Sequence, residues 1–408
     1  MSDLSGQGPV VVILAGGAGT RMQSSRAKVL HTVGGRTLLH HTLEAVEGID
    51  PSQVIVVVGH QSDQVSAQLS EVAPGARLAV QETPSGTGDA VRVGAGLLQG
   101  VDGHTSVIVA YADLPLLEAD TLRTMVAAHV AEGDAVTVLA GTDGTTDDAG
   151  AYVFDFGPLT GALAAVEGRG LDLAAIVAAA HDGGAKVGVF TADDEWQSRG
   201  VDDRTDLAAV GAEFNRRQVQ RWLRAGVTVV DPASTWIDAD VDLAPDVTLL
   251  PGCWLAGATS VAAGASIGPD TTVKDSEVGQ RATIARSQVE LSVIGADATI
   301  GPYTRLRPGS QIGERAVVGS FTEIRNACIG ADARIGSGVV FAGATAAPAN
   351  VGEGAVVGAG VLIVPPAEVP AGEVVPAGVV VTSGAMERRR SAADDAAEAA
   401  KRGLEEDR

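Results

Sequence analysis

The sequence predicts an α/β domain with a Rossmann-like parallel sheet, followed by a parallel β-helix made of six-residue repeats. Two patterns carry this. Over residues 8–140 short β-branched runs alternate with helical patterns, and beyond about residue 226 aliphatic side chains recur at six-residue steps. A third observation suits both: 52 glycines and 3% aromatics in 408 residues favour tight turns and small-residue stacking over a large aromatic core. The length fits two or three domains, and 45% apolar residues are enough for sizeable cores.

VVVIL (10–14), VIVVVGH (54–60), LAVQ (78–81), SVIVAYAD (106–113) and AVTVLA (135–140) read as strands. Between them RTLLHHTLEAV (36–46), DQVSAQLSEV (63–72) and ADTLRTMVAAHV (119–130) have apolar spacing near 3.6 and read as helices. This alternation implies βαβ units on a parallel sheet, with ligands beyond the carboxyl ends of the strands. GTDGTTDDA (141–149) reads as an irregular loop and AYVFDF (151–156) as a further strand. Residues 203–225, with the stripe Leu207, Val210, Phe214, Trp222, read as a connecting helix.

The repeat then takes over. Ile294, Ile300, Leu306, Ile312, Val318 and Ile324 stand six apart; the series restarts at Ile329, Ile335, Phe341 and at Val351, Val357, Ile363. Earlier members are Val261, Ile267, Val273 and Val278, Ile284. Glycine often follows directly, as in Ile300-Gly301 and Ile312-Gly313. Six residues per rung and three rungs per coil are the signature of a hexapeptide β-helix, whose coils each cover their neighbours. Such prisms commonly trimerise. The expected divisions are 1–202, a linker helix 203–225, the prism 226–384, and a charged, alanine-rich tail 385–408 that is helical or disordered.

The net charge of −22 disfavours a nucleic-acid partner, although a few local cations and a metal can still hold a nucleotide. Cys253 and Cys328 form no disulfide framework or metal motif and read as small buried hydrophobes. The start of the chain shows no signal pattern and no run of 18 apolar residues occurs, so the cytoplasm is the expected compartment.

The chemistry concentrates in LAGGAGTRM (14–22), directly behind the first strand. Glycines at 16, 17 and 19 let the backbone approach a ligand, and successive N–H groups can form an anion nest. Alone, such a loop is equally a tight turn. Arg21, and Lys28 seven residues on, favour phosphate. The loop is neither GxGxxG nor GxxxxGK[ST]. QETPSGTGDA (81–90) sets Gln81 beside Gly86 and Thr87, able to read a base edge. YADLPLL (111–117) puts Asp113 at a strand's carboxyl end, where a carboxylate can meet Mg²⁺ or cap a helix.

LAGGAGTRM, AKVLHTVGGRTLLHHTLEAV, the Gly-Thr-Gly segment, YADLPLL and GVTVVDPASTWID (226–238), followed by hexapeptide repeats, resemble one family over nearly the whole chain. It is the bifunctional N-acetylglucosamine-1-phosphate uridyltransferase/glucosamine-1-phosphate acetyltransferase, of which this chain looks like a shortened, divergent member. The resemblance implies a nucleotidyltransferase domain, a left-handed parallel β-helix, and a Mg²⁺-dependent homotrimer making UDP-N-acetylglucosamine for the cell envelope. Leu14, Ala15, Gly16 and Gly17 would line the nucleotide, with Arg21 and Lys28 on its phosphates as the catalytic cations. Gln81, Gly86 and Thr87 would read uracil. Asp113 would hold Mg²⁺ with Asp202, which stands in GVDDR (200–204) where the family has GVNNR.

The departures are as informative. The family's Gly-Tyr-Gly-Arg segment is absent, and EGRGLDLAAIV (167–177) shortens a second loop. On the sugar-phosphate side remain Tyr111, Ala112 (the family has Gly), Asp113, and Asp148 (the family has Asn). The acetyltransferase needs a histidine base, yet all seven histidines, at 31, 40, 41, 60, 104, 129 and 181, precede the prism, and SGVVF (337–341) stands at the base's position. Arg307, and Arg325 in place of a lysine, mark a vestigial second site or solvated coil edges. The expected activity is uridylyl transfer from UTP with acetyl transfer lost. The alternatives are the full bifunctional enzyme, a transferase for another base or sugar phosphate of the molybdenum-cofactor type, and a non-catalytic nucleotide-binding scaffold.

Overall fold

A computed structural model describes residues 8–383 except 84, 143, 145, 147–148, 167–171 and 343–346, together with the backbone of 385–388. The chain divides into two compact units, Met1–Phe214 and Asn215–Arg408.

The first unit is a seven-stranded sheet: β1 (Val10–Leu14), β2 (Gln53–Val58), β3 (Arg77–Val80), β4 (Ser106–Tyr111), β5 (Val136–Ala140), β6 (Ala151–Asp155) and β7 (Val187–Thr191). Their spatial order is β3-β2-β1-β4-β6-β5-β7. The helices are α1 (Leu38–Glu47), α2 (Ser62–Val72), α3 (Thr87–Ala95), α4 (Ala119–Glu132), α5 (Phe156–Ala165), α6 (Leu173–Asp182) and α7 (Arg204–Arg224). Successive strand side chains point to opposite faces. Val11 and Ile13 therefore pack with Leu39 and Leu43 of α1, Val65 of α2 and Leu122 of α4. Val10, Val12 and Leu14 pack with Val91 of α3, Leu159 of α5 and Ile176 of α6. Both faces are covered, which is why the central strands read as unbroken apolar runs.

The sheet departs from the fully parallel expectation at one strand. β6 runs antiparallel to both β4 and β5. Parallel return needs a crossover of a dozen or more residues, commonly a helix, and only ten residues separate β5 from β6. The consequence is functional: β6 begins at the edge where the parallel strands end. Helices α3, α5 and α6 and strand β7 were also unread from the sequence.

In the second unit three parallel sheets run the length of a left-handed β-helix. Along one face Ile284 stacks on Ile300, then Val318, Ile335, Val357 and Val375. All are at most 2% exposed, so the six-residue series is the core. The glycines behind it permit close coil stacking. A Cβ on Gly313 would lie 2.5 Å from the Ala331 nitrogen of the next coil. Helix α7 is divided between the units: Phe214 sits edge-on to His41 in the first, and Val219 and Trp222 join the prism core. Leu207 of the expected stripe is only half-buried. The tail begins later than expected, because Ala385–Arg388 pairs antiparallel with Val379–Thr382. Residues 389–408 lie outside the described residues. Among the described residues no helix is long and apolar enough to cross a membrane.

Candidate active site

The strand order reverses direction between β1 and β4, the switch point at which open α/β sheets bind ligands. A cavity of about 730 Å³ opens there. Its wall gathers Leu14, Gly16, Gly17 and Ala18 after β1, Gln81, Gly86 and Thr87 around the start of α3, and Tyr111 and Asp113 after β4. It also takes in Lys28, Asp202 and the antiparallel strand's Tyr152.

The glycine loop is built for this position. Ala15 still donates to Val57 O (2.8 Å), closing the strand ladder. Beyond it, the N–H groups of Gly16, Gly17 and Ala18 donate to no other described residue. Gly19 has φ 57°, and a Cβ there would lie 2.7 Å from Cβ of Lys28. Only glycine lets Lys28 pass so close.

Lys28 is the hub. Its Nζ donates to Asp113 Oδ2 and to Asp202 Oδ1, the latter at 2.8 Å. Lys28 and Asp113 side chains are 14% exposed and Asp202 45%, so the inner pair is the more desolvated. Burial pushes the Asp113 carboxyl above its usual range against the pull of Lys28. Burial also works against the Lys28 charge, yet the two carboxylates outweigh it and raise its pKa. Asp202 is held low: its burial is outweighed by Lys28 and Arg21.

Three backbone and side-chain links assemble this hub. Val201 N donates to Asp113 O (3.1 Å), bringing the 200–204 loop to the end of β4. Asp203 Oδ1 accepts from Thr205 N (2.7 Å) and Asp206 N (3.0 Å), capping α7. Arg204 Nε donates to Met22 O (3.3 Å), tying that helix start to the glycine loop. The two aspartates of GVDDR thus divide their work, one facing the cavity and the other capping the helix.

Chemically, the wall carries Asp113, Asp172, Asp202 and Asp206 against Lys28 and Arg199. Carboxylates outnumber cations, so a polyphosphate needs a cation to enter. Asp113 and Asp202 meet one ammonium, and two converging hard oxygen donors suit a divalent ion that completes its shell with phosphate and water. The residues present therefore fit a divalent metal.

A MobA-like NTP transferase domain model matches residues 11–198, and a bacterial transferase hexapeptide model (six repeats) matches 292–326. The chain is 42% identical to the bifunctional protein GlmU of Cutibacterium acnes over 80% of its own length and 87% of that protein's. It is 41% identical to the bifunctional protein GlmU of Pseudarthrobacter chlorophenolicus over 86% and 78%, and to that of Kineococcus radiotolerans over 80% and 73%.

The chain belongs to the GlmU family.

It is accordingly an enzyme of the sugar-1-phosphate nucleotidyltransferase type, a class that uses a divalent metal and takes a nucleotide and a sugar phosphate. Within this GlmU-family site, the residues expected from the sequence fall into groups. Leu14, Gly16, Gly17, Lys28, Gln81, Gly86, Thr87, Tyr111, Asp113 and Asp202 lie together in the cavity wall. Ala15 and Ala112 do not: they are 3% and 1% exposed and pack in the core beneath it, because their turn of chain still follows the strand ladder. Arg21 also stands outside the wall, 69% exposed, with Nη2 3.0 Å from Asp202 Oδ1. Asp148 lies outside the described residues.

Arg307 and Arg325 belong to the prism. Arg307 Nη1 donates to Glu323 Oε1 (3.0 Å), and Arg325 is exposed one coil on. The polar wall residues missed by the sequence reading are Tyr152, Asp172, Ser198, Arg199 and Asp206. Arg199 and Asp206 flank GVDDR, and that proximity was the available signal. Arg199 stacks on Trp196, 4.8 Å from the ring centroid, and among the described residues its guanidinium has one long ion pair, 3.5 Å to Asp206.

Proposed function

We propose that the chain transfers uridylyl from UTP to N-acetylglucosamine 1-phosphate, releasing pyrophosphate and forming UDP-N-acetylglucosamine for the cell envelope. The observation that carries this reading is the Lys28–Asp113–Asp202 hub, set in one cavity with Gln81 and with glycine-loop N–H groups that have no acceptor among the described residues. A phosphate oxygen of the sugar 1-phosphate attacks the α-phosphorus of UTP. The α–β bridging bond breaks and its electrons leave with pyrophosphate. No protein nucleophile is required; positioning and charge neutralisation carry the rate.

Asp113 and Asp202 would hold the metal, which we take to be Mg²⁺; when bound it neutralises phosphate charge. Lys28 then supplies an ammonium to the phosphates, and the Gly16–Ala18 amides orient them. Arg21, on the exposed side of Asp202, meets the triphosphate at the rim. Gln81, Gly86 and Thr87 read the base. Arg199 has a guanidinium fork weakly held by the protein, and it takes the phosphate of the acceptor.

Acetyl transfer is lost in this reading. Residues 226–408 contain no histidine, and the guanidinium of Arg307 is engaged by Glu323. The prism, residues 226–384, serves to hold a homotrimer. Pyrophosphate release from UTP, N-acetylglucosamine 1-phosphate and Mg²⁺, with Asp113→Ala as control, tests the first reaction. Acetyl-CoA consumption with glucosamine 1-phosphate tests the second: sustained turnover overturns the proposed loss.

A further inference from the structure

Gln81 is 7% exposed and lines the cavity at the end that would take the base. Its amide is not free to turn. Nε2 donates to Gly86 O (3.1 Å) and to Asp89 Oδ2 (2.9 Å), two acceptors that the amide oxygen could only repel. Asp89 is itself anchored: its Oδ1 accepts from Arg92 Nη1 (2.9 Å), and Arg92 Nη2 donates to Leu163 O (3.2 Å). This chain of bonds runs from α5 through α3 to the cavity. Both amide hydrogens are consumed, and Gln81 Oε1 accepts from no described residue. Beside it, no side chain caps Gly86 at the start of α3, so N–H donors of that helix's first turn remain available.

We propose that Asp89 is a positioning residue for base selection: it locks the Gln81 amide so that only an acceptor, Oε1, is offered to the nucleotide, which selects uracil over cytosine. Uracil presents N3–H to that acceptor and a ring carbonyl to the α3 amides. Cytosine carries a lone pair at N3, which faces the lone pairs of Oε1 unless the ring shifts and strains the ribose. Guanine also has an N–H beside a carbonyl, so size, not this bond, must reject it. The inference rests on the uridylyl reading of the same cavity.

The test measures UTP and CTP binding to the full chain with Mg²⁺ by calorimetry, without acceptor. The variants are Asp89→Asn, whose amide can turn an NH₂ toward Gln81 and so permit the flipped state, Asp89→Glu, which keeps the carboxylate, and Gln81→Met, which removes the amide. Wild type is expected to favour UTP by at least about tenfold, as is usual where a polar site meets the wrong edge. Asp89→Asn and Gln81→Met should bring the ratio close to one, with CTP gaining as UTP loses; Asp89→Glu should keep it. A merely structural role would weaken both nucleotides alike. An unchanged UTP/CTP ratio in Asp89→Asn overturns the proposal. Equal affinity in wild type overturns it together with the uracil reading. Because binding is measured without acceptor, a wild type that favours UTP here but releases no pyrophosphate once N-acetylglucosamine 1-phosphate is added condemns the transfer reading alone.

Discussion

The two halves of this protein use charge in opposite ways. In the α/β unit, Lys28, Asp113 and Asp202 converge from residues far apart in sequence, and burial works against each of their charges. In the prism, charges pair with partners one coil away on the surface: Arg281 with Asp297, Arg315 with Asp332, Arg307 with Glu323. The first arrangement holds polar groups at the wall of a cavity. The second satisfies the rungs' outer faces and leaves little unspent. A buried, mutually opposed cluster signals a site; a ladder of exposed pairs signals a solvated repeat.

The sharpest way to break the comparison is to remove the hub. Asp113→Ala should cut pyrophosphate release by about a hundredfold or more, the usual loss when a preorganised charge at a reacting phosphate is deleted. The matching removal in the prism, Arg307→Ala, should leave that rate within twofold, in the same assay. Equal losses would mean that the prism takes part in the first reaction.

Packing gives the next contrast. Ile300→Ala in the prism core should cost about 2–5 kcal/mol in denaturant unfolding, because Ile284 and Val318 stack on either side and cannot both collapse inward. Gly313→Ala should cost about 1–3 kcal/mol, since its Cβ meets the next coil's backbone. Gly17→Ala meets nothing within 4 Å, so stability should stay within about 0.5 kcal/mol while nucleotide affinity falls. A stable Gly17→Ala variant with unchanged affinity would remove that glycine from the site.

A smaller effect separates the two ends of the cavity. Arg199→Ala should raise KM for the sugar phosphate about tenfold and leave KM for UTP unaltered, as expected for one lost charge-assisted contact. A change in KM for UTP instead would place Arg199 on the nucleotide. The smallest effect concerns the prism's thiols. Burial pushes the Cys253 thiol up to about 11, whereas Cys328 is half-exposed. A raised pKa keeps Cys253 neutral below that value, so at pH 8 a thiol reagent should label Cys328 and spare Cys253 until the chain is unfolded.

The prism was legible almost rung by rung. Its contacts join residues 16 to 22 positions apart, from one coil to the next, so periodicity fixes what is buried. Six of the seven strands and three helices of the α/β unit were legible for a similar reason, since their apolar spacing reports a local geometry. The reversal of β6 was not: direction in a sheet depends on the connection, and the residues before it carry no pattern of their own. Helix α3 was hidden behind the Gly-Thr-Gly segment, which reads as loop yet supplies the uncapped start of a helix.

The sequence alone supplied the residue types proposed for phosphate, metal and base. It also determined, through the family motifs, the order in which they occur and the absence of a histidine beyond residue 226. Tertiary structure alone decided that Lys28 stands between Asp113 and Asp202, that Ala15 and Ala112 fall behind the wall, and that Arg199 enters it. It alone decided that Asp89 holds Gln81. The reason is physical. Residue identity and spacing set local conformation and burial, but the orientation of a side chain within hydrogen-bond reach depends on how distant loops are brought to one sheet edge, and no local pattern encodes that distance.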